Sequence, residues 1–186
     1  MRKLNQVVLQ TMETDIPIYA NLNASTGMKL RNLLAIIADS VPFKPNMTKL
    51  SEVVGVSRNQ MGDYLLYMER AGIIAQLRNA TGGIRGLGKV NKVYLDNPNL
   101  CHALAGGNPN KGNIRETFFF NQMRVGYDVI SSNVSDFAID GYTFEVGGKN
   151  KGQRQVSSVE NGFVVKDDIE FGALNNIPLW AFGMTY

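Results

Sequence analysis

Three acidic residues in the second half of the chain have the spacing of a divalent-cation site. Glu116 falls in a helical pattern, Asp136 precedes a short apolar run, and Glu145 lies in the next apolar run. Carboxylates are hard oxygen ligands that suit Mg²⁺, and bound Mg²⁺ can activate water and neutralise a phosphate. These acids predict a magnesium-dependent phosphodiesterase site; the alternative is that they are solvated acids at strand ends.

A lysine near the last acid would complete such a site, because its ammonium group can position the nucleophile or stabilise the transition state. Lys149 follows Glu145 by four residues. Side chains alternate along a strand, so Glu145, Gly147 and Lys149 would share one face. Lys149 is therefore the predicted catalytic lysine, one strand step beyond Gly147.

A second group of residues suited to binding is basic and polar, and it lies in the first half of the chain. Residues 1–100 hold twelve Lys or Arg and seven Asp or Glu, a net charge of +5, whereas residues 101–186 carry −2. A positive module can bind the phosphates of nucleic acid, although ordinary surface charge is the alternative. The predicted nucleic-acid contacts are Ser57, Arg58, Asn59, Arg85, Lys89 and Lys92.

Three helices and a hairpin must position these contacts. Apolar residues recur at helical spacing in three segments between residues 26 and 70, and two strands follow at 73–77 and 92–95. The boundaries are marked by capping and stop residues, which are Asn46, Gly55, Ser57, Gln60 and Gly72. Two helices joined by a short glycine-containing turn predict a helix-turn-helix, and the hairpin makes it a winged helix over residues 26–97. DNA contact and protein docking both remain open for it.

The hairpin loop also matches a nucleotide-binding motif. Residues 83–89 fit G-x-x-x-x-G-K, but Val90 stands where a Ser or Thr would hold magnesium. A strand pattern follows the motif, whereas a phosphate-binding loop opens a helix. We therefore interpret the glycines as part of the wing.

The second half predicts one helix and several short strands. A glycine-rich segment at 106–112 indicates a boundary, which gives domains at 1–100 and 101–186. Beyond it, Asn113 is the expected cap of a helix to about Val125, and the last apolar run, 177–183, is expected to be a strand. At the other end, a helix over 3–13 is expected to stop before Pro17. The predicted class is α+β with a small mixed sheet.

The composition excludes other kinds of site. One Cys and one His cannot build a four-ligand zinc site or an intrachain disulfide. Adjacent side chains diverge, so Cys101 and His102 are expected to have packing or surface roles. The run 118–120, all Phe, is expected in the core rather than as a platform for bases. We find no signal-peptide pattern and no apolar run of about 20 residues, so a cytoplasmic protein without membrane contact is expected.

The chain resembles a known family over nearly its whole length: the C-terminal region of bacterial AAA-type ATPases, whose function is unknown. The segments that carry the resemblance are 57–61, 64–65, 69–74, 92–97, 112–116, 135–137, 144–146 and 177–180. The resemblance implies a winged helix followed by a restriction-endonuclease-like domain of the PD-(D/E)xK type. It also implies that Glu116, Asp136 and Glu145 are the acids of a metal site. The sequence departs from the pattern at Gly147, where the family places its lysine.

These observations lead to two functional hypotheses. The first is an accessory nucleic-acid-binding or protein-docking module of an AAA-type ATPase system, without catalysis of its own. The alternative is a Mg²⁺-dependent nuclease that acts on DNA. Residue 147 distinguishes the two hypotheses, because a glycine there cannot supply the ammonium group that the nuclease hypothesis expects.

Overall fold

A computed structural model describes residues 2–80, 89–104 and 108–185. Within these ranges the α-helices are α1 (Arg2–Gln10), α2 (Ile16–Tyr19), α3 (Ala24–Ser40), α4 (Met47–Val54), α5 (Arg58–Arg70), α6 (Pro98–Leu104) and α7 (Lys111–Met123). The strands are β1 (Ile74–Arg78), β2 (Val90–Leu95), β3 (Ile130–Ser131), β4 (Phe137–Ile139), β5 (Tyr142–Gly147), β6 (Gly162–Lys166) and β7 (Asn176–Pro178). The strand order is β2-β1-β3-β4-β5-β6-β7, and the strand pairs are both parallel and antiparallel. The predicted α+β class with a mixed sheet is confirmed.

The chain divides into two compact units, and neither is continuous in sequence. The N-terminal unit contains Met1–Gln76 and Lys92–Pro109, and the C-terminal unit contains Leu77–Asn91 and Asn110–Tyr186. The hairpin of β1 and β2 is therefore divided, with its base in the first unit and its far end in the second.

The N-terminal unit has the predicted helix-turn-helix, and local hydrogen bonds fix its boundaries. The Asn46 side chain accepts a bond from the Lys49 amide, which caps α4. Gly55 ends α4 in the left-handed conformation, with φ of 70°. Ser57 and Gln60 form both bonds of a capping box at the start of α5. The three predicted helices and the hairpin are thus all present.

The first twenty residues differ from the prediction, because the helix does not stop before Pro17. A π-helical turn at Thr11–Asp15 joins α1 to α2, so the chain remains helical to Tyr19. Pro17 stands in the first turn of α2, directly after this π-helical turn. The segment Pro98–Leu104, which borders the predicted linker, forms α6 and packs on α1 and α3.

Two helical glycines in this unit predict opposite responses to alanine. A methyl group on Gly27 of α3 would lie 2.8 Å from the Glu13 carbonyl oxygen, whereas one on Gly62 of α5 would meet nothing within 4 Å. We expect Gly27→Ala to lower the free energy of unfolding by about 1–3 kcal/mol, as overpacking does. Gly62→Ala should raise it by roughly 0.5–1 kcal/mol, because alanine is the better helix former.

Urea unfolding of the two variants measures this difference directly. A loss of stability in both variants would contradict the close packing of α3 on the π-helical turn as the cause.

The C-terminal unit is built around β5. A tight hairpin joins β4 to β5, with φ of 48° at Asp140 and 85° at Gly141, and β6 pairs with β5 in parallel over five residues. The helix α7 packs against β5. An aromatic cluster fills the interior, with the Phe119 ring 5.1 Å from Phe137 and 5.3 Å from Phe144 between centroids. The predicted mixed sheet after residue 112, with a helix packed on it, is confirmed.

Two predictions about this unit were wrong. Asn110, rather than Asn113, caps α7, and its side chain accepts bonds from the amides of Gly112 and Asn113. The final apolar run is not a strand throughout, because β7 ends at Pro178 and a 3₁₀ helix follows at Leu179–Met184. This helix places Phe182 in the aromatic cluster, 4.8 Å from Phe119 between ring centroids.

Candidate functional site

The predicted acids lie on or beside the elements that surround β5. Glu145 is in the middle of β5 and only 2% exposed. Asp136 directly precedes β4, and its Oδ2 accepts a hydrogen bond of 3.0 Å from the Val146 amide, which holds this carboxylate against β5. Glu116 is in α7 and half-buried. Both Asp136 and Glu116 are close enough for their charges to act on Glu145.

The lysine that reaches the acids is Lys151, and not the predicted Lys149. The Lys151 ammonium group forms an ion pair with Glu145 Oε1, and the lysine side chain is one-third exposed. Lys149 is exposed in the turn after β5. Strand alternation would bring residue 149 to the face of Glu145 only if the strand continued, but β5 ends at Gly147. A backbone hydrogen bond of 2.9 Å from the Lys151 amide to the Gly148 carbonyl then closes a turn.

Gly147 makes this arrangement possible. A methyl group there would lie 2.6 Å from Cγ and Cδ of Lys151, so the lysine stem occupies the space that any other residue at 147 would fill. The ammonium group that pairs with Glu145 therefore belongs to residue 151, and not to residue 147, where the PD-(D/E)xK pattern has its lysine. The sequence signal that indicates this is the glycine pair 147–148 at a strand end, which is typical of a turn.

The surroundings of the Glu145 carboxyl group disfavour its charged form. Burial raises its pKa above the usual value, and the charges of Asp136 and Glu116 raise it further, while the hydrogen bond and the charge of Lys151 oppose them. Its second oxygen, Oε2, is buried and finds no hydrogen-bond partner among the described residues. A buried acceptor without a partner is costly, so this oxygen is suited to a cation or a donor from a ligand.

The three acids do not form the predicted three-ligand metal site. In the part of the chain that the structure describes, no three His, Cys, Asp or Glu side chains are grouped closely enough to hold an ion. Magnesium, however, is usually bound by one or two carboxylates, with water and substrate phosphate as the other ligands. Glu145 Oε2 and the adjacent Asp136 carboxylate fit that smaller requirement, because both offer hard oxygen donors.

The structure describes five of the six predicted nucleic-acid contacts. Ser57, Arg58 and Asn59 are exposed at the start of α5, and Lys89 is exposed at the residue before β2. Lys92 lies in β2 and is half-buried. Arg85 and most of the G-x-x-x-x-G-K segment lie outside the described residues.

The two acidic side chains of α5 have different surroundings: Glu69 is half-buried and Asp63 is exposed. The Glu69 carboxylate accepts bonds of 2.9 Å from both the backbone amide and the side-chain amide of Gln76. Asp63 lines a polar pocket of about 200 Å³ together with Asn21 and Gln60.

The remaining candidates have structural roles. Cys101 is buried in α6 and His102 is exposed, so their side chains diverge as expected. Phe119 and Phe120 are core residues, as predicted, whereas Phe118 is half-buried. None of the helices in the described ranges combines the length and the apolar character that crossing a lipid bilayer requires.

Comparison with known proteins gives one match. Neither the curated proteins nor the solved structures contain a significant match to this chain. A family model described as a domain of unknown function, DUF8612, matches residues 1–111, which include the whole N-terminal unit. The match covers more than half of the sequence, and the chain therefore belongs to the DUF8612 family.

Proposed function

We propose that this chain is a DNA-binding accessory module that uses its winged helix, in keeping with the resemblance to AAA-type ATPase C-terminal regions. The observation that carries the proposal is the first turn of α5. Arg58 and Asn59 are exposed there, and the Glu69 carboxylate farther along the helix is bound by Gln76. In helix-turn-helix proteins this turn of the second helix contacts base edges and phosphates.

The chemistry of the exposed side chains suits that role. Arg58 can donate two bonds to a phosphate or a guanine, and Asn59 can pair with an adenine edge. The Ser57 oxygen accepts the Gln60 amide, so its hydroxyl hydrogen is left to donate to a phosphate. Lys89 and Lys92 add positive charge on the hairpin.

Electrophoretic mobility shift at several salt concentrations tests this function. Log affinity should fall with log salt by roughly 0.9 per phosphate contact, and Arg58→Ala and Lys89→Ala should each make the slope shallower by about one. A loss in Arg58→Ala that depends on DNA sequence would indicate base recognition, and a uniform loss would indicate phosphate contact.

The matched control is Arg154→Ala, which removes an exposed arginine outside the N-terminal unit. If no duplex or single strand is retarded at protein concentrations above roughly 10⁻⁴ M, protein docking becomes the better account of the winged helix.

A second candidate function, Mg²⁺-dependent phosphodiester cleavage, is favoured by one specific observation. Glu145 has one oxygen on Lys151 and a second oxygen that is buried without a partner among the described residues. A carboxylate held beside Asp136 at the cost of a raised pKa is typical of a functional site. Glu145 and Asp136 would hold the ion, which would supply an activated water and neutralise phosphate charge.

Lys151 has a separate role in this candidate. Its Nζ forms an ion pair with the Glu145 carboxylate. That ammonium can donate a hydrogen bond to a phosphate oxygen, where negative charge grows as the ester bond breaks. Gly147 and the turn after β5 restrict the position from which it does so.

Thermal unfolding with Mn²⁺ tests this candidate without requiring a substrate. At a Mn²⁺ concentration one hundred times its dissociation constant, binding adds about 2.7 kcal/mol of stability. For a chain of this size, that corresponds to roughly 5–10 °C in Tm. Glu145→Gln should lose the shift, whereas Asp140→Asn, in the exposed hairpin turn, should keep it. A wild-type Tm that stays constant up to millimolar Mn²⁺ would remove the candidate.

A further inference from the structure

A second ion-pair network lies beside the turn that carries Lys151. The guanidinium of Arg115, in α7, donates from Nε to Asp167 Oδ2 at 2.8 Å and from Nη2 to Asp168 Oδ2 at 3.3 Å. The Arg115 side chain is only 16% exposed. Both aspartates directly follow β6, so this pairing ties α7 to the end of that strand.

The same network reaches the end of β5. The Asp167 amide donates to the Gly147 carbonyl at 2.9 Å, and the Arg115 guanidinium lies directly over Gly148. A methyl group on Gly148 would be 3.0 Å from Arg115 Nη1. Gly148 in turn accepts the Lys151 amide, so the guanidinium borders the turn from which Lys151 reaches back to Glu145.

We propose that Arg115 is a positioning residue that holds the turn 148–151 in the conformation that brings the Lys151 ammonium to Glu145. Direct phosphate binding by Arg115 is the weaker account, because Asp167 and Asp168 already occupy two of its donor nitrogens. The catalytic consequence rests on the proposed phosphodiesterase function, but the positioning itself is a property of the chain without substrate.

The acetylation rate of Lys151 measures its position directly. Mass spectrometry after limited treatment with an N-hydroxysuccinimide ester can compare Lys151 with Lys149, which is exposed and serves as the internal reference. The ion pair with Glu145 and the partial burial of the side chain restrict access of the reagent to Lys151 Nζ, so it should react slowly. In Arg115→Met we expect the acetylation of Lys151 to rise severalfold toward that of Lys149, and Arg115→Lys should restore part of the protection.

A control and a second variant keep the test decisive. Lys111→Met removes a positive charge one turn earlier on α7 and should leave Lys151 protected. Gly148→Ala should expose Lys151 as Arg115→Met does, because the added methyl group pushes the turn away from the guanidinium. If Arg115→Met does not fold, the acetylation of Lys151 in Gly148→Ala is the test. Unchanged acetylation of Lys151 in the folded variants would overturn the proposal.

The two levels of the inference can fail separately. If wild-type protein neither binds Mn²⁺ nor cleaves DNA, while Lys151 becomes reactive in Arg115→Met, the positioning role stands and the phosphodiesterase function does not. If the wild type cleaves DNA, Arg115→Met should lower kcat with little change in KM, because the substrate-binding groups remain. A change in KM alone would contradict positioning.

Discussion

Lys151→Met should reduce DNA cleavage by roughly 10²–10³-fold, the usual cost of losing one donor that stabilises charge in a transition state. Lys149→Met should cleave at the wild-type rate. The two lysines are separated by one residue and carry the same charge, but only Lys151 is paired with Glu145. The measurement is the initial rate of plasmid nicking with Mg²⁺ or Mn²⁺.

Two further variants make this comparison sharper. Gly147→Lys alone should be inactive, because its side chain would collide with the Lys151 stem. The double variant Gly147→Lys with Lys151→Gly would place an ammonium where the PD-(D/E)xK pattern has one, and should recover part of the rate. Equal loss in Lys149→Met and Lys151→Met would show that the structural assignment of the lysine is wrong.

The same Lys151→Met variant should be less stable by about 2–3 kcal/mol at neutral pH. Removing one partner of a fully buried ion pair typically costs roughly 3–5 kcal/mol, and we expect less because Lys151 is one-third exposed. The cost arises because Glu145 is left charged and buried, without its compensating ammonium. Lys149→Met, an exposed replacement, should stay within about 0.5 kcal/mol of wild type.

The stability lost in Lys151→Met should also depend on pH, being large at neutral pH and small in acid. The pKa of Glu145 is raised on folding, so its contribution to stability is fully present below the unfolded pKa and is lost as pH rises through the folded pKa. Removing Lys151 removes the two influences that lower this pKa, so Glu145 of the folded variant has a higher pKa than in wild type, and the variant keeps losing stability to a higher pH than wild type does. Wild type and variant should therefore converge below about pH 4, where Glu145 is protonated in both states. Denaturation at pH 3.5 and pH 7 measures this, and an equal difference at both would exclude Glu145 charge as the cause.

Local sequence signals predicted the helices of the N-terminal unit well because their boundaries are set by neighbouring residues. The bonds between Ser57 and Gln60, and the left-handed Gly55, need no information from distant parts of the chain. The hairpin turn at Asp140 and Gly141 is of the same kind.

The predictions that were wrong depended on contacts that a local pattern does not contain. The end of the chain forms a 3₁₀ helix because Phe182 packs against Phe119, far away in sequence. Lys151 was missed because alternation identifies faces only while a strand continues, and β5 ends at Gly147. Glu116 lies in a helix and Glu145 in a strand, as predicted, and Asp136 directly precedes the neighbouring strand. Their spacing in sequence could not show that they fall short of a three-ligand set.

Because the two units alternate along the sequence, the order of synthesis limits when each of them can fold. The first helix, α1, finds a packing partner in α6, about ninety residues later. At ordinary synthesis rates of about 5–20 residues per second, α1 waits roughly 5–20 s for that partner. The far half of the hairpin likewise waits for β3, its parallel neighbour at Ile130. The N-terminal unit is therefore complete only once Pro109 has been synthesised, and by then the far half of the hairpin, which belongs to the C-terminal unit, is still without its neighbour β3.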